Sequence, residues 1–135
     1  SGRPFGVYGS TESQVAVVTY GRLFSFAYEA MQTLAASGIK CKVIKLNRII
    51  PLDPEVLQIL TGCKTVFFFE EGIRAGGVAE CLGGALAEAG FSGRYVMRCI
   101  EDGFIRHAPM FRILERLGLD QAGMLRTIRE NLKQK

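Results

Sequence analysis

The chain has 135 residues, 48% of them hydrophobic and 22% charged, with a formal net charge of +4. That length predicts one domain with one ordinary core, and the balance excludes a disordered chain. No apolar run approaches the roughly 20 residues needed to span a bilayer, and no basic-then-apolar signal opens the chain, so the expectation is a cytoplasmic protein without a membrane partner.

Residues 1–4 read as a tag scar or disordered start, and 5–135 as a single domain. Residues 5–9 are a candidate short edge strand. Gln14–Tyr20 is β-branched and apolar and predicts a strand, which Gly21 ends. Phe24–Ala36 holds no glycine or proline. Its Phe24, Ala27, Tyr28, Met31, Leu34 and Ala35 recur at helical spacing and predict a buried face. Ser37-Gly38 stops that helix. Lys42–Leu46 is a second strand. Asp53-Pro54-Glu55 has the form of an N-cap with proline at the first helical position, opening a short helix to about Leu60.

Thr65–Phe69 carries three consecutive phenylalanines and predicts a central strand buried on both faces. Glycines 72, 76 and 77 then form a turn into a helix from about Val78 to Glu88, closed by Gly90. Tyr95–Ile100 is a further strand. His107–Leu117 predicts a helix ending at Gly118, and Asp120 caps a last helix from Gln121 to about Leu132. Strands alternating with helices predict a parallel or mostly parallel sheet with helices on both faces.

The positive charge is uneven. Residues 1–93 carry eight basic and eight acidic side chains, whereas 94–135 carry nine basic and five acidic. Arg112 with Arg116, and Arg126 with Arg129 and Lys133, fall at helical spacings. No aromatic residues interleave with them for base stacking, so they read as solvated helix faces and no nucleic-acid partner is expected. Cys41, Cys63, Cys81 and Cys99 are widely spaced and form no C-x-x-C pair, which argues against a zinc site. They read as buried free thiols in a reducing compartment.

His107 is the single histidine. Asp102 lies five residues before it and could orient it, yet no serine or cysteine stands in a nucleophile-elbow context. His107 therefore reads as a structural residue near a helix start. Glycines 72, 76, 77, 83 and 84 match neither G-x-G-x-x-G nor a P-loop. They leave two readings open: amides exposed to an anion at a helix start, or a tight turn with close helix–sheet packing at Gly76-Gly77. Glu70 and Glu71 stand at the carboxyl end of a strand, where ligands of open α/β sheets gather. One reading is acid–base chemistry. The other is that a carboxylate accepts hydrogen bonds from helix-start amides and fixes the loop from Gly72 to Gly77.

Several stretches together resemble the C-terminal domain of transketolase-like thiamine-diphosphate enzymes. They are Val17-Val18-Thr19-Tyr20-Gly21, Glu29-Ala30, Gly38-Ile39, Pro51-Leu52-Asp53, Glu70-Glu71-Gly72 and Gly76-Gly77. Asp102-Gly103-Phe104-Ile105 with His107-Ala108, followed by Gly118-Leu119-Asp120, is similar to the 1-deoxy-D-xylulose-5-phosphate synthases in particular. The resemblance implies a three-layer α/β/α fold around a mixed, mostly parallel five-stranded sheet with one antiparallel strand.

For the parent enzyme it implies a transferase that condenses pyruvate with glyceraldehyde 3-phosphate for isoprenoid and thiamine biosynthesis, using thiamine diphosphate and magnesium. Its diphosphate–magnesium motif and activating glutamate belong to preceding domains, so this domain is expected to hold no cofactor, no metal and no catalytic residue. Its implied role is scaffolding: packing on the preceding domains and supporting a homodimer. Glu70, Glu71, Gly72, Gly76, Gly77, Asp102 and His107 remain as candidate structural, anion-binding or interface residues. The alternatives are the equivalent domain of a transketolase or of a 2-oxoacid dehydrogenase β-subunit, a free-standing docking or regulatory module, and a small-ligand-binding domain using Glu70 to Gly77.

Overall fold

The computed structural model describes residues 3–49, 51–73, 77–100 and 109–133, with residues 72, 73 and 100 described by backbone alone. The elements run β1 (Phe5–Gly9), β2 (Val15–Thr19), α1 (Leu23–Ala36), β3 (Lys42–Leu46), α2 (Pro54–Thr61), β4 (Thr65–Ile73), α3 (Val78–Glu88), β5 (Arg94–Ile100), α4 (Met110–Leu117) and α5 (Gln121–Leu132). Local chemistry sets several of their ends. Asp53 is extended and its Oδ1 accepts from the Glu55 amide at 2.8 Å, with Pro54 pre-set for the first turn of α2. Asp120 does the same for α5, accepting from the Gly123 amide at 2.9 Å. Gly118 ends α4 in the left-handed region at φ 75°, which a side chain would resist.

The strands form one five-stranded sheet in the order β1-β3-β2-β4-β5. β1 runs antiparallel to β3, and the other pairs are parallel. The pleat divides the core in two. Val17, Val43, Phe67, Phe69 and Val96 face α1 and α5, with Leu114 of α4 joining them. Ala16, Val18, Ile44, Val66 and Phe68 face α2 and α3. This is the expected three-layer α/β/α arrangement. β4 lies between β2 and β5, and Phe67, Phe68 and Phe69 are each 1% exposed or less, so both of its faces are covered as expected. The rings of Phe67 and Phe69 stack with centroids 6.3 Å apart.

The structure departs from the sequence reading in four places. β4 continues through Glu70, Glu71 and Gly72 to Ile73, so Gly72 belongs to the strand and not to the turn. β5 is long enough to keep pairing with it: after an irregularity past Phe69, Ile73 still pairs with Ile100. α4 begins at Met110, with Pro109 as its N-cap at φ −56° and ψ 149°. Pro109 is itself extended, so the helix starts at the residue after it, and the expected start at His107 lies outside the described residues.

Ala35 is exposed, because the stripe that α1 buries is Leu23, Ala27, Ala30, Met31 and Leu34, with Phe24 and Tyr28 at its margin. Cys81 is exposed whereas Cys41, Cys63 and Cys99 are buried. α3 buries Ala79, Leu82 and Leu86, and Cys81 falls off that stripe. Among the described residues no helix is long and apolar enough to cross a membrane.

Candidate functional site

From β2 the chain crosses through α1 to β3 on one side, and from β3 through α2 to β4 on the other. The strand order therefore reverses between β3 and β4, with β2 as the shared neighbour. In open α/β sheets the crevice beyond the carboxyl ends at such a switch point is where ligands bind. Tyr20 and Arg22 follow β2 there, and Glu70 and Glu71 lie on the adjacent β4.

Glu70 is 2% exposed. Its Oε2 accepts from the Tyr20 hydroxyl at 2.6 Å and the Val78 amide at 2.9 Å, and its Oε1 from the Ala79 amide at 2.9 Å. Val78 and Ala79 are the first two residues of α3, whose own N-cap, Gly77, has no side chain to offer. Glu70 thus caps α3 from the neighbouring strand, meeting two orphan amides and the positive end of the helix dipole. A carboxylate has about four lone-pair positions. Three are filled here, which leaves little of the group free to exchange a proton with a substrate.

Tyr95 of β5 fastens the same helix start, donating its hydroxyl to the Ala79 carbonyl. Its ring lies where a Cβ on Gly83 would stand, 2.9 Å from the nearest ring atom, so a residue without a side chain is needed at 83 for the approach. Burial, then the Glu70 hydroxyl bond and charge, pushes the Tyr20 phenol well above its ordinary value. Burial and then the Glu70 charge do the same to Tyr95.

Glu71 turns outward. Arg22 Nε lies 2.9 Å from both of its oxygens and Nη2 lies 2.8 Å from Oε2. Hydrogen bonding to Glu71, then its charge, raises the Arg22 pKa. Thr19 Oγ1, fully buried at the end of β2, has no hydrogen-bond partner among the described residues.

Of the two readings of the acids, acceptance from helix-start amides is the one Glu70 shows. Gly77 is the N-cap of the helix that Glu70 holds, and Gly72 lies in β4. Gly76, Asp102 and His107 lie outside the described residues. Sequence reasoning missed Tyr20, Arg22, Tyr95 and Gly83 as members of the cluster. Tyr20 and Arg22 carried one readable signal: they flank the glycine that ends an apolar strand. Which strand would lie beside it was not readable.

Among the described residues, no group of three or more His, Cys, Asp or Glu side chains could hold a metal ion. At the switch point the donor set does not suit a magnesium diphosphate either. Glu70 is occupied by its three donors, and Glu71 is neutralised by Arg22.

Residues 7–124 match the family model described as transketolase, C-terminal domain. The chain belongs to that family. This transketolase C-terminal domain is 32% identical over 119 residues to a 1-deoxy-D-xylulose-5-phosphate synthase from Dehalococcoides mccartyi, covering 86% of the chain and 18% of the relative. It is 33% identical over 132 residues to the enzyme of that name from an Acidovorax species, covering 96% of the chain and 20% of the relative. The domain therefore spans about a fifth of the length of these curated relatives. Among solved structures it superposes on a split-gene transketolase described as an inactive beta4 tetramer. The TM-score is 0.83 with 25% identity, covering 97% of the domain and 43% of that chain.

Proposed function

We propose that this domain is the C-terminal scaffold of a 1-deoxy-D-xylulose-5-phosphate synthase, one that packs on the preceding domains, supports a homodimer and supplies no catalytic group. Thiamine diphosphate and magnesium are held elsewhere in the parent enzyme. The observation that carries this reading is the similarity to synthases of that name along 86–96% of the chain. The geometry at the switch point supports it. There the buried carboxylate that could have served as an acid or base is spent on capping α3, and its neighbour is spent on Arg22.

The test mixes the isolated chain with the first two domains of the Acidovorax synthase. Formation of 1-deoxy-D-xylulose 5-phosphate is then followed for the mixture and for each part alone, with calorimetric titration of the chain by thiamine diphosphate and magnesium. Activity in the mixture above that of the two-domain piece, with no turnover and no heat from the chain alone, is the expected result. Micromolar binding of thiamine diphosphate by the chain itself, or a mixture no more active than the two-domain piece, overturns the reading.

A further inference from the structure

β1 is an edge strand that pairs on one side only. Beyond its two ends, the Ser10 amide donates to the Cys41 carbonyl and the Asn47 amide to the Pro4 carbonyl. In an antiparallel ladder the bonded and non-bonded pairs alternate. The even-numbered residues of β1 therefore bond to β3, and the backbone N–H and C=O groups of Phe5, Val7 and Gly9 point away from the sheet. Edge strands are ordinarily blunted by charge, proline or a bulge. β1 reads Phe-Gly-Val-Tyr-Gly and pairs with β3 in unbroken register, so it has none of these.

A groove of about 560 Å³ runs along this strand, bordered by Arg3, Gly6, Tyr8, Lys45 and Asn47. Gly6 presents no side chain, and the Tyr8 ring lies across it, 3.0 Å from where a Cβ would stand. Tyr8 is 39% exposed, one of two large hydrophobic side chains so exposed among the described residues. It packs against Phe24 and Tyr28 of α1 at centroid distances of 5.0 and 6.2 Å, and Lys45 Nζ lies 4.9 Å from the centre of the Phe24 ring. Neither Lys45 nor Arg3 pairs with a carboxylate among the described residues.

We propose that the free edge of β1 receives an extended acidic segment of a partner polypeptide, which adds a sixth strand to the sheet. Main-chain bonds to Phe5, Val7 and Gly9 hold the segment, as in other edge additions. Alternate side chains of the guest face the two sides of the sheet. Acidic ones on the α1 side reach Lys45 beside the ring of Tyr8, with Arg3 bordering the same groove, and apolar ones on the other side meet Val7. A second copy of this chain is the poorer occupant, because edge-to-edge pairing adds the same two positive charges to the seam a second time.

The probe is an eight-residue peptide, blocked at both ends, in which glutamate alternates with valine. NMR titration of the full chain should shift the amides of residues 5–9 and 45 and slow hydrogen exchange at Phe5, Val7 and Gly9. Lys45→Glu should weaken binding about fivefold or more, as rim charges do. A peptide with lysine in place of glutamate should not bind the parent chain. Val7→Pro removes an outward donor without touching the β3 ladder and should abolish the protection. Should that variant fold poorly, a glutamate–valine peptide N-methylated at alternate residues removes the same bonds from the guest side and should fail to bind. No shift at millimolar peptide, shifts without protection of the odd-numbered amides, equal binding of the lysine peptide, or unchanged binding of the N-methylated peptide each overturns the proposal. A concentration-dependent dimer protecting the same amides without peptide overturns it in favour of a second copy.

Discussion

Tyr20 is the residue on which the switch point can be tested. Its ring stands edge-on to Phe68 at 6.2 Å and its hydroxyl donates to Glu70. Tyr20→Phe keeps the ring contact and deletes the bond. Urea unfolding at neutral pH should show a loss of about 1–2 kcal/mol, since the acceptor is a carboxylate in a buried position. The alkaline limb gives a second reading of the same hydroxyl. Burial and Glu70 raise the folded pKa of Tyr20 above the ordinary 10.0, and Tyr95 is raised likewise. The folded chain therefore keeps these protons while the unfolded chain releases them. The stability they contribute is full below pH 10 and is lost as pH rises toward the folded values. Removing Tyr20 should flatten that decline by up to about 1.4 kcal/mol per pH unit, and by less to the extent that water screens a half-buried ring. An alkaline slope identical in the parent and in Tyr20→Phe contradicts the assignment. None of this was legible in the sequence. Tyr20 and Glu70 are fifty residues apart, and what joins them is the adjacency of β2 and β4, which no local pattern encodes.

At the level of elements, the sequence was legible wherever a single period or a single cap decides the outcome. Asp53 with Pro54, Asp120 and Gly118 mark helix ends by chemistry that acts within a few residues, and each stands where it was read. β4 was legible as buried because three adjacent phenylalanines cannot all face solvent. Its length was not, because pairing with β5 carries it past the acids to Ile73. The exposure of Cys81 and Ala35 shows a similar limit. Small residues sit equally well on either side of a helix, and the larger ones around them choose the buried stripe. Phe68→Ala tests β4 directly. The side chain is fully buried against α2 and α3, so chemical denaturation should report a loss of about 3–5 kcal/mol, the usual cost of emptying a phenylalanine site in a packed core. A loss below about 1 kcal/mol is incompatible with that burial.

Across the whole molecule, the fold and the family follow from the same residues. The apolar strands build the sheet, and Glu70 of β4 ties its middle to a helix. The cluster around Glu70 is short of free functional groups, which is why the proposed role is mechanical. The cap on α3 also has a consequence in time. Val78 and Ala79 are capped by Glu70, eight and nine residues back in the chain, and Glu70 is itself held by Tyr20, fifty residues further back. The cap itself is a short closure, but the full set of three bonds on Glu70 also needs the fifty-residue closure, so the cluster completes only once β2 and β4 have paired. Native-state hydrogen exchange should find the amides of Val78 and Ala79 opening together with those of β2 and β4, as one cooperative unit, rather than fraying independently as a helix end ordinarily does.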